Sequence, residues 1–479
     1  MRMLRFLLIA SLAAPVALAD GLPELGDASQ SVFTPAMERR IGESIMERIR
    51  VDRTYLDDPE IADYLNDLGS RLVAASPDSR QAFEFFVIAD ASVNAFAMPG
   101  GYIGVHTGLV LTAQSESELA AVLAHEVAHV TQRHIARMVA GQQRNQIASL
   151  AALALAILAS RSSGQASQAI LTGVQAASLQ SQLDFTRDHE READRVGFQI
   201  LEKAGFDVRA MPLFLERLQR ANRVYDGNAP SYLRTHPVTF ERIADLQNRT
   251  ETAAYRQIPD NPRFQMVRAK LRAQQGEPRQ ALAQIEEALR ERRFINEAAT
   301  RYSLVSALVR LQDYGRARTE LRTVERLLPA DPFVATLKGR LLTESGDAAA
   351  AEAHYTVAMR EFPHYRVLRY DFVDLLVRRG RADRALALVD EAQAITPGDA
   401  RLFALQARCY EALGRRTLQH RALAEYYVRQ GNLPGAIEQL QIALRAGDGD
   451  FYLLSSVEAR LRGLRAEDVE RRKLQQQQQ

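Results

Sequence analysis

Hydrophobic and polar positions follow three different rhythms along this chain, and each rhythm predicts a different element. Thr34-Pro35 reads as an N-cap with proline at the first helical position, and the mixed segments that follow, to about Ala75, predict two helices. From Phe83 to Ile88 aromatic and β-branched residues dominate, and Val93–Met98 and Tyr102–Val105 then flank the turn Pro99-Gly100-Gly101. This pattern predicts a small antiparallel sheet. Ser115 and Glu118 have the spacing of a capping box, and the helix they open runs through Leu119, Val122 and Leu123 past His129. The alanine-leucine run Ile147–Ala159 is shorter than the roughly 20 residues a membrane span requires. It fits a helix packed on the body of the protein, with contact to lipid or a partner as the alternative.

Beyond about Asn261 the rhythm becomes periodic. Gly276, Gln312, Gly346, Gly380 and Gly414 recur at intervals of about 34 residues, and Ala281, Ala317, Ala351 and Ala385 each follow five residues after the first four. Pro329, Pro363 and Pro397 close three of the units. This spacing resembles the tetratricopeptide repeat, a helix-turn-helix unit whose neighbours bury each other's faces. Gly431 with Ala436 falls half a period after Gly414, so one helix near Arg421–Gln430 is expected to serve two adjacent pairs, and the last unit reads as a degenerate cap.

The 479 residues exceed what one hydrophobic core usually serves, so two domains with separate cores are expected: 20–255 and a repeat domain 261–470. Residues 1–19 read as a signal peptide, with Arg2 and Arg5 before the apolar run Phe6–Val16 and Ala17-Leu18-Ala19 at the cleavage positions. Cleavage is expected before Asp20, which exports the mature chain to an oxidising compartment, with peripheral contact to a membrane left open. The single cysteine, Cys409, provides no intramolecular disulfide, so the chain must be stable without one. A net charge of +2 gives no reason to invoke nucleic acid.

The chemistry concentrates in two short segments. His125-Glu126-Val127-Ala128-His129 puts two imidazoles four residues apart on one helical face, where both reach one metal ion. Glu126 points about 100° round the helix, which suits a base acting on water rather than a ligand. A catalytic zinc needs a third protein ligand and an open fourth position. In Glu190-Arg191-Glu192-Ala193-Asp194, residues Glu190, Ala193, Asp194 and Gly197 share one face while Glu192 points elsewhere. Glu190 is the expected third ligand, and Asp194, one turn on, is placed to accept a hydrogen bond from a ligand imidazole. Asn94, Ala95 and Phe96 begin a strand that could take an extended peptide along its edge. His106, His134, His189, His354, His364 and His420 lack a partner at ligand spacing and read as structural or solvated.

These two segments, with Asn94–Gly101 before them and Thr235-His236-Pro237 after, together resemble the gluzincin peptidases related to the CaaX prenyl protease. Within that group the chain is most similar to the periplasmic branch with a tetratricopeptide tail, the beta-barrel assembly-enhancing proteases. The resemblance implies a mainly α chain: a zincin-like α+β metalloprotease domain followed by a helical-repeat solenoid. It implies one zinc ion on His125, His129 and Glu190, Glu126 as general base and Asp194 as a supporting or proton-donating carboxylate. His236 would be a regulatory latch that occupies the fourth position in a latent state. Substrates would be unfolded or misassembled envelope proteins, with the outer-membrane protein assembly machinery as a partner of the repeats. The alternative is a repeat-based chaperone or scaffold whose zinc site is latent.

Overall fold

The structure, a computed structural model, describes residues 33–78, 80–141, 187–224, 231–253 and 258–476. The expected signal segment and the apolar run Ile147–Ala159 lie outside them. Among the described residues no helix is long and apolar enough to cross a membrane.

Both early helices form where the pattern places them. α1 (Pro35–Arg50) opens on Thr34, whose hydroxyl accepts the Met37 amide at 3.2 Å, and α2 (Pro59–Ala74) opens on Asp58, which accepts from the Glu60 and Ile61 amides. Each cap satisfies donors that have no partner inside the helix. The strands are β1 (Glu84–Ile88), β2 (Ala95–Met98) and β3 (Tyr102–His106), in the order β1-β3-β2. β2 pairs antiparallel with β3, but β1 pairs parallel with it, so the sheet is mixed rather than antiparallel.

The reason lies in β3. All five of its residues are buried, so it takes the centre, where neighbours satisfy both of its edges. Residues 89–94 carry the chain across its far end, where the Asp90 carbonyl accepts from the Gly108 amide at 2.8 Å. Gly104 makes the central position tolerable, because a Cβ there would lie 2.4 Å from Cζ of Phe96 and 2.9 Å from Cζ of Phe86.

After α3 (Thr107–Thr112) comes α4 (Glu116–Thr131), buried on every side from Glu116 to Val130. It packs against α5 (His134–Gly141), α6 (Arg187–Lys203), α7 (Ala210–Val224), α2 and the sheet, and the short α8 (Ser231–Thr235) is followed by α9 (Phe240–Thr252), which packs on α6 and α7.

From there on the helices come in pairs. They are α10 (Pro262–Gln274) with α11 (Pro278–Arg290), α12 (Glu297–Arg310) with α13 (Tyr314–Leu327), and α14 (Pro332–Glu344) with α15 (Ala348–Glu361). Next come α16 (Arg366–Arg378) with α17 (Ala382–Ile395), α18 (Ala400–Ala412) with α19 (Arg416–Arg429), and α20 (Leu433–Arg445) with α21 (Phe451–Gln476). The residues recurring at the repeat interval end the first helix of each of the first five pairs in the left-handed region, Gln312 included at φ 61°. The alanines five positions on are buried where the second helix crosses the first. As expected, α19 packs against both α18 and α20.

Among the described residues the two expected units do not keep wholly separate cores. One buried cluster runs from Ile61 and Tyr64 of α2, through α4, to Phe264 and Val267 of α10 and on to Leu341 of α14. Ion pairs line the same seam: Lys270 lies 2.6 Å from Asp58 and also meets Glu60, Arg263 lies 2.6 Å from Asp67, and Arg366 pairs with Asp63. The apolar face of α2 is visible in the sequence. That the cover for it comes from 200 residues further along is not.

Candidate metal centre

The site is built on α4, whose first turn is fixed by Ser115. Its hydroxyl accepts the Glu118 amide at 3.3 Å, while the Glu118 carboxylate accepts the Gln114 amide at 2.6 Å and ion-pairs with Arg217, so the box closes one residue earlier than its usual form. Helix α6 then lies directly on α4. The contact depends on Gly197, where a Cβ would sit 3.1 Å from the backbone of His125. This brings Glu190 to the two imidazoles: its Oε2 is 3.6 Å from Nε2 of His125 and its Oε1 is 3.4 Å from Nε2 of His129. The two imidazole Nε2 atoms are 3.0 Å apart.

The loop after α8 delivers His236. Its Nδ1 lies 2.9 Å from Glu190 Oε1 and 3.4 Å from His125 Nε2, and its Nε2 lies 3.5 Å from Glu126 Oε1. Tyr232 packs beside its ring, with centroids 4.8 Å apart. One ligand atom from each of His125, His129, Glu190 and His236 falls within 4.8 Å of the others, and all four residues are buried. A tetrahedral ion with bonds of about 2.0–2.1 Å spaces its ligand atoms about 3.3 Å apart. The separations here lie on either side of that value, so the donor set fits one such ion.

Behind the donors, Asp194 Oδ1 is 3.1 Å from Nδ1 of His125, the position expected for a carboxylate that fixes the ring's tautomer. Asp194 is itself gripped by Arg242 of α9, with Nε 2.6 Å from Oδ2 and Nη2 2.8 Å from Oδ1. Arg242 also places Nη1 2.6 Å from Glu190 Oε2 and donates it to the Pro237 carbonyl at 2.8 Å, which ties the donor set to the His236 loop. The sequence reading missed this arginine. Its only signal is an arginine on the stripe that α9 buries with Ile243 and Leu246.

Electrostatics agree with a cation at this point. Burial pushes His129 down to about 3, which keeps its imidazole neutral, the ligating form. Burial also opposes a charge on His125, but hydrogen bonds to Asp194 and Glu190 outweigh it and hold the group up at about 10. Two carboxylates thus set a potential that favours positive charge. Against its burial, Glu190 is held well below the carboxylate range by His236, His125 and His129. Burial raises Glu126, opposed by His236, His125 and the Ala97 backbone of β2.

Of the residues expected at the site, the structure brings together His125, Glu126, His129, Glu190, Asp194 and His236. Asn94 lies just before the edge strand β2, which packs against α4; on the strand itself Ala95 joins the cluster around α4, whereas Phe96 points to the opposite face and packs with Ile45 and Met46 of α1.

Residues 59–250 match peptidase family M48, and residues 266–332, 302–366 and 342–409 match tetratricopeptide repeats. Over 428 residues the chain is 31% identical to the beta-barrel assembly-enhancing protease of Escherichia coli K12, covering 89% of this chain and 87% of that one. The chain belongs to this protease family. It is 41% identical over 273 residues to a putative beta-barrel assembly-enhancing protease of Vibrio cholerae, a match that spans 56% of each chain. It is also 35% identical over 185 residues to the mitochondrial metalloendopeptidase OMA1 of Schizosaccharomyces pombe, 38% of this chain and 51% of that one. As a beta-barrel assembly-enhancing protease homologue, the chain is a metallopeptidase, and the buried donor set on α4, α6 and the His236 loop is its metal-binding group.

Proposed function

We propose that this protein is a zinc-dependent endopeptidase of the periplasm that cleaves unfolded or misassembled envelope proteins. Its repeats would engage protein partners, among them the outer-membrane protein assembly machinery. The observation that carries the reading is the buried set His125, His129 and Glu190 with the Glu126 carboxylate beside it. On this reading residues 1–19 are a removed signal, residues 20–255 the peptidase unit and residues 261–470 the repeats.

His125, His129 and Glu190 would hold the zinc, which supplies Lewis acidity toward the scissile carbonyl and makes a water acidic at neutral pH. Glu126 takes the proton from the attacking water and passes it to the leaving amine. A carboxylate that burial has raised above its ordinary range is suited to both transfers. Asp194 holds the Nδ1–H of His125 and so leaves Nε2 to face the metal. Arg242 keeps Asp194 and Glu190 in register.

The substrate strand is assigned to Asn94, Ala95 and Phe96. Among the described residues β2 pairs with β3 on one edge only, and the Ala97 backbone faces Glu126, so a peptide added along the other edge would run past the base. His236 acts as a latch, because its Nδ1 lies in the donor group, and it must withdraw before water and substrate enter.

Metal analysis and casein cleavage by wild type and Glu126→Gln test the proposal. Support is a zinc-bound wild type that cleaves and a Glu126→Gln variant that keeps zinc but does not. A wild type without zinc, or a Glu126→Gln variant that cleaves at the wild-type rate, overturns it. Proteins that co-purify with Glu126→Gln from the native envelope then identify the substrates.

A further inference from the structure

The two imidazoles of α4 are supported differently. His125 has the Asp194 carboxylate at its Nδ1, whereas the Nδ1 of His129 lies 2.9 Å from Nδ1 of a second histidine, His134. His134 is fully buried, and its Nε2 lies 3.2 Å from Oε2 of Glu192. Arg137 donates to the same oxygen at 2.8 Å, and the ring of His189 stacks on that of His134 at 4.5 Å with an interplanar angle of 17°. A sharp break in the chain puts His134 there: Arg133 adopts φ 52°, ending α4 and starting α5 so that the first residue of α5 turns back under the last turn of α4.

Only one arrangement of protons among neutral rings satisfies all three residues while leaving Nε2 of His129 to face the donor set. His129 carries its proton on Nδ1 and donates it to Nδ1 of His134. His134 then carries its own proton on Nε2 and donates it to Glu192. We infer that Glu192 and His134 form a relay that fixes the tautomer and ring orientation of His129, the counterpart on this ligand of what Asp194 does for His125. His134 and Glu192 are thus positioning residues for the metal-binding group. The inference rests on the zinc-site reading above. Hydrogen-bonded partners behind a ligand histidine typically contribute about 10–100-fold to metal affinity.

Zinc affinity of the purified full chain, measured by competition with a chromophoric chelator, tests the relay without reference to activity. His134→Phe keeps a ring but removes the acceptor, and should weaken zinc binding about 10-fold or more. His134→Asn places a carbonyl oxygen close to where Nδ1 was, and should recover most of the loss. Glu192→Gln, at a half-buried position, should cost a few-fold. A His134→Phe variant within twofold of wild type, an Asn variant no better than Phe, or an unchanged Glu192→Gln overturns the inference. Should His134→Phe fail to fold, the Asn and Gln variants still decide the matter. Failure of the underlying reading is distinguishable, since wild type itself would then bind no zinc.

Discussion

Phe264 is the place to test whether the peptidase unit and the repeats fold as one body. It opens the repeats on α10, yet it is fully buried, with its ring 6.4 Å from that of Tyr64 on α2 and the Arg268 guanidinium 5.3 Å from its centroid. Truncating a buried phenylalanine to alanine costs about 3–5 kcal/mol through lost transfer energy and the cavity left behind. A shift of about 2–4 °C per kcal/mol makes this a fall on the order of 10 °C in the thermal transition. Because the cluster around Phe264 is continuous with the one that buries α4, Phe264→Ala should lower the unfolding of both halves together. Circular dichroism reports the transition, and limited proteolysis at intermediate temperature reports which half has opened. Leu440→Ala provides the contrast, since Leu440 is as deeply buried but belongs to a separate cluster of α19, α20 and α21. It should leave the peptidase half unmoved. Two resolved transitions in Phe264→Ala, with that of the peptidase half unchanged, would refute a shared core.

Three further outcomes are expected. Purified protein should carry about one zinc per chain, and elemental analysis should find Glu190→Ala depleted but Glu192→Ala still able to fill at high zinc; the reverse pattern rejects Glu190 as third ligand. At matched zinc occupancy His236→Ala should cleave casein faster than wild type, whereas a loss of about 100-fold would mark His236 as a transition-state donor instead of a latch. Burial holds His106 at about 4 against an ordinary 6.5, so the stability gained from its neutral form is present above pH 6.5 and lost as pH falls toward 4, about 3 kcal/mol in all. His106→Gln should flatten the urea midpoint across that window, and an unchanged slope would contradict the assignment.

Local signals proved readable wherever chemistry depends on spacing along one helix. The i, i+4 pair His125 and His129, the shared face of Glu190, Asp194 and Gly197, and the left-handed residues at the repeat interval are all set by helix geometry, which the sequence displays. Illegible were the features set by contacts between distant elements. β1 pairs parallel with β3 because the hairpin inserts a strand between β1 and β2, and nothing in three short apolar runs records their spatial order. Arg242 and His134 have no motif around them. Each matters because of what another helix brings to it: Asp194 in one case, His129 and Glu192 in the other. The shared core escaped notice for the same reason, since periodicity shows that a face is apolar but not what covers it.

In an ordinary stack of helix pairs each pair touches only its neighbours, so only the seams between neighbours resist separation. Here α2 works as the hub of a wheel. Spokes run from Asp67 to Arg263 on α10, from Asp63 to Arg366 on α16 and, from Asp57 just ahead of the helix, to Arg401 on α18, while Glu47 of α1 meets Arg471 near the far end of the rim. Stretching this array means breaking spokes as well as opening seams between neighbours, so the ties to the hub add to the resistance of the repeats, each exposed pair by at most about 1 kcal/mol.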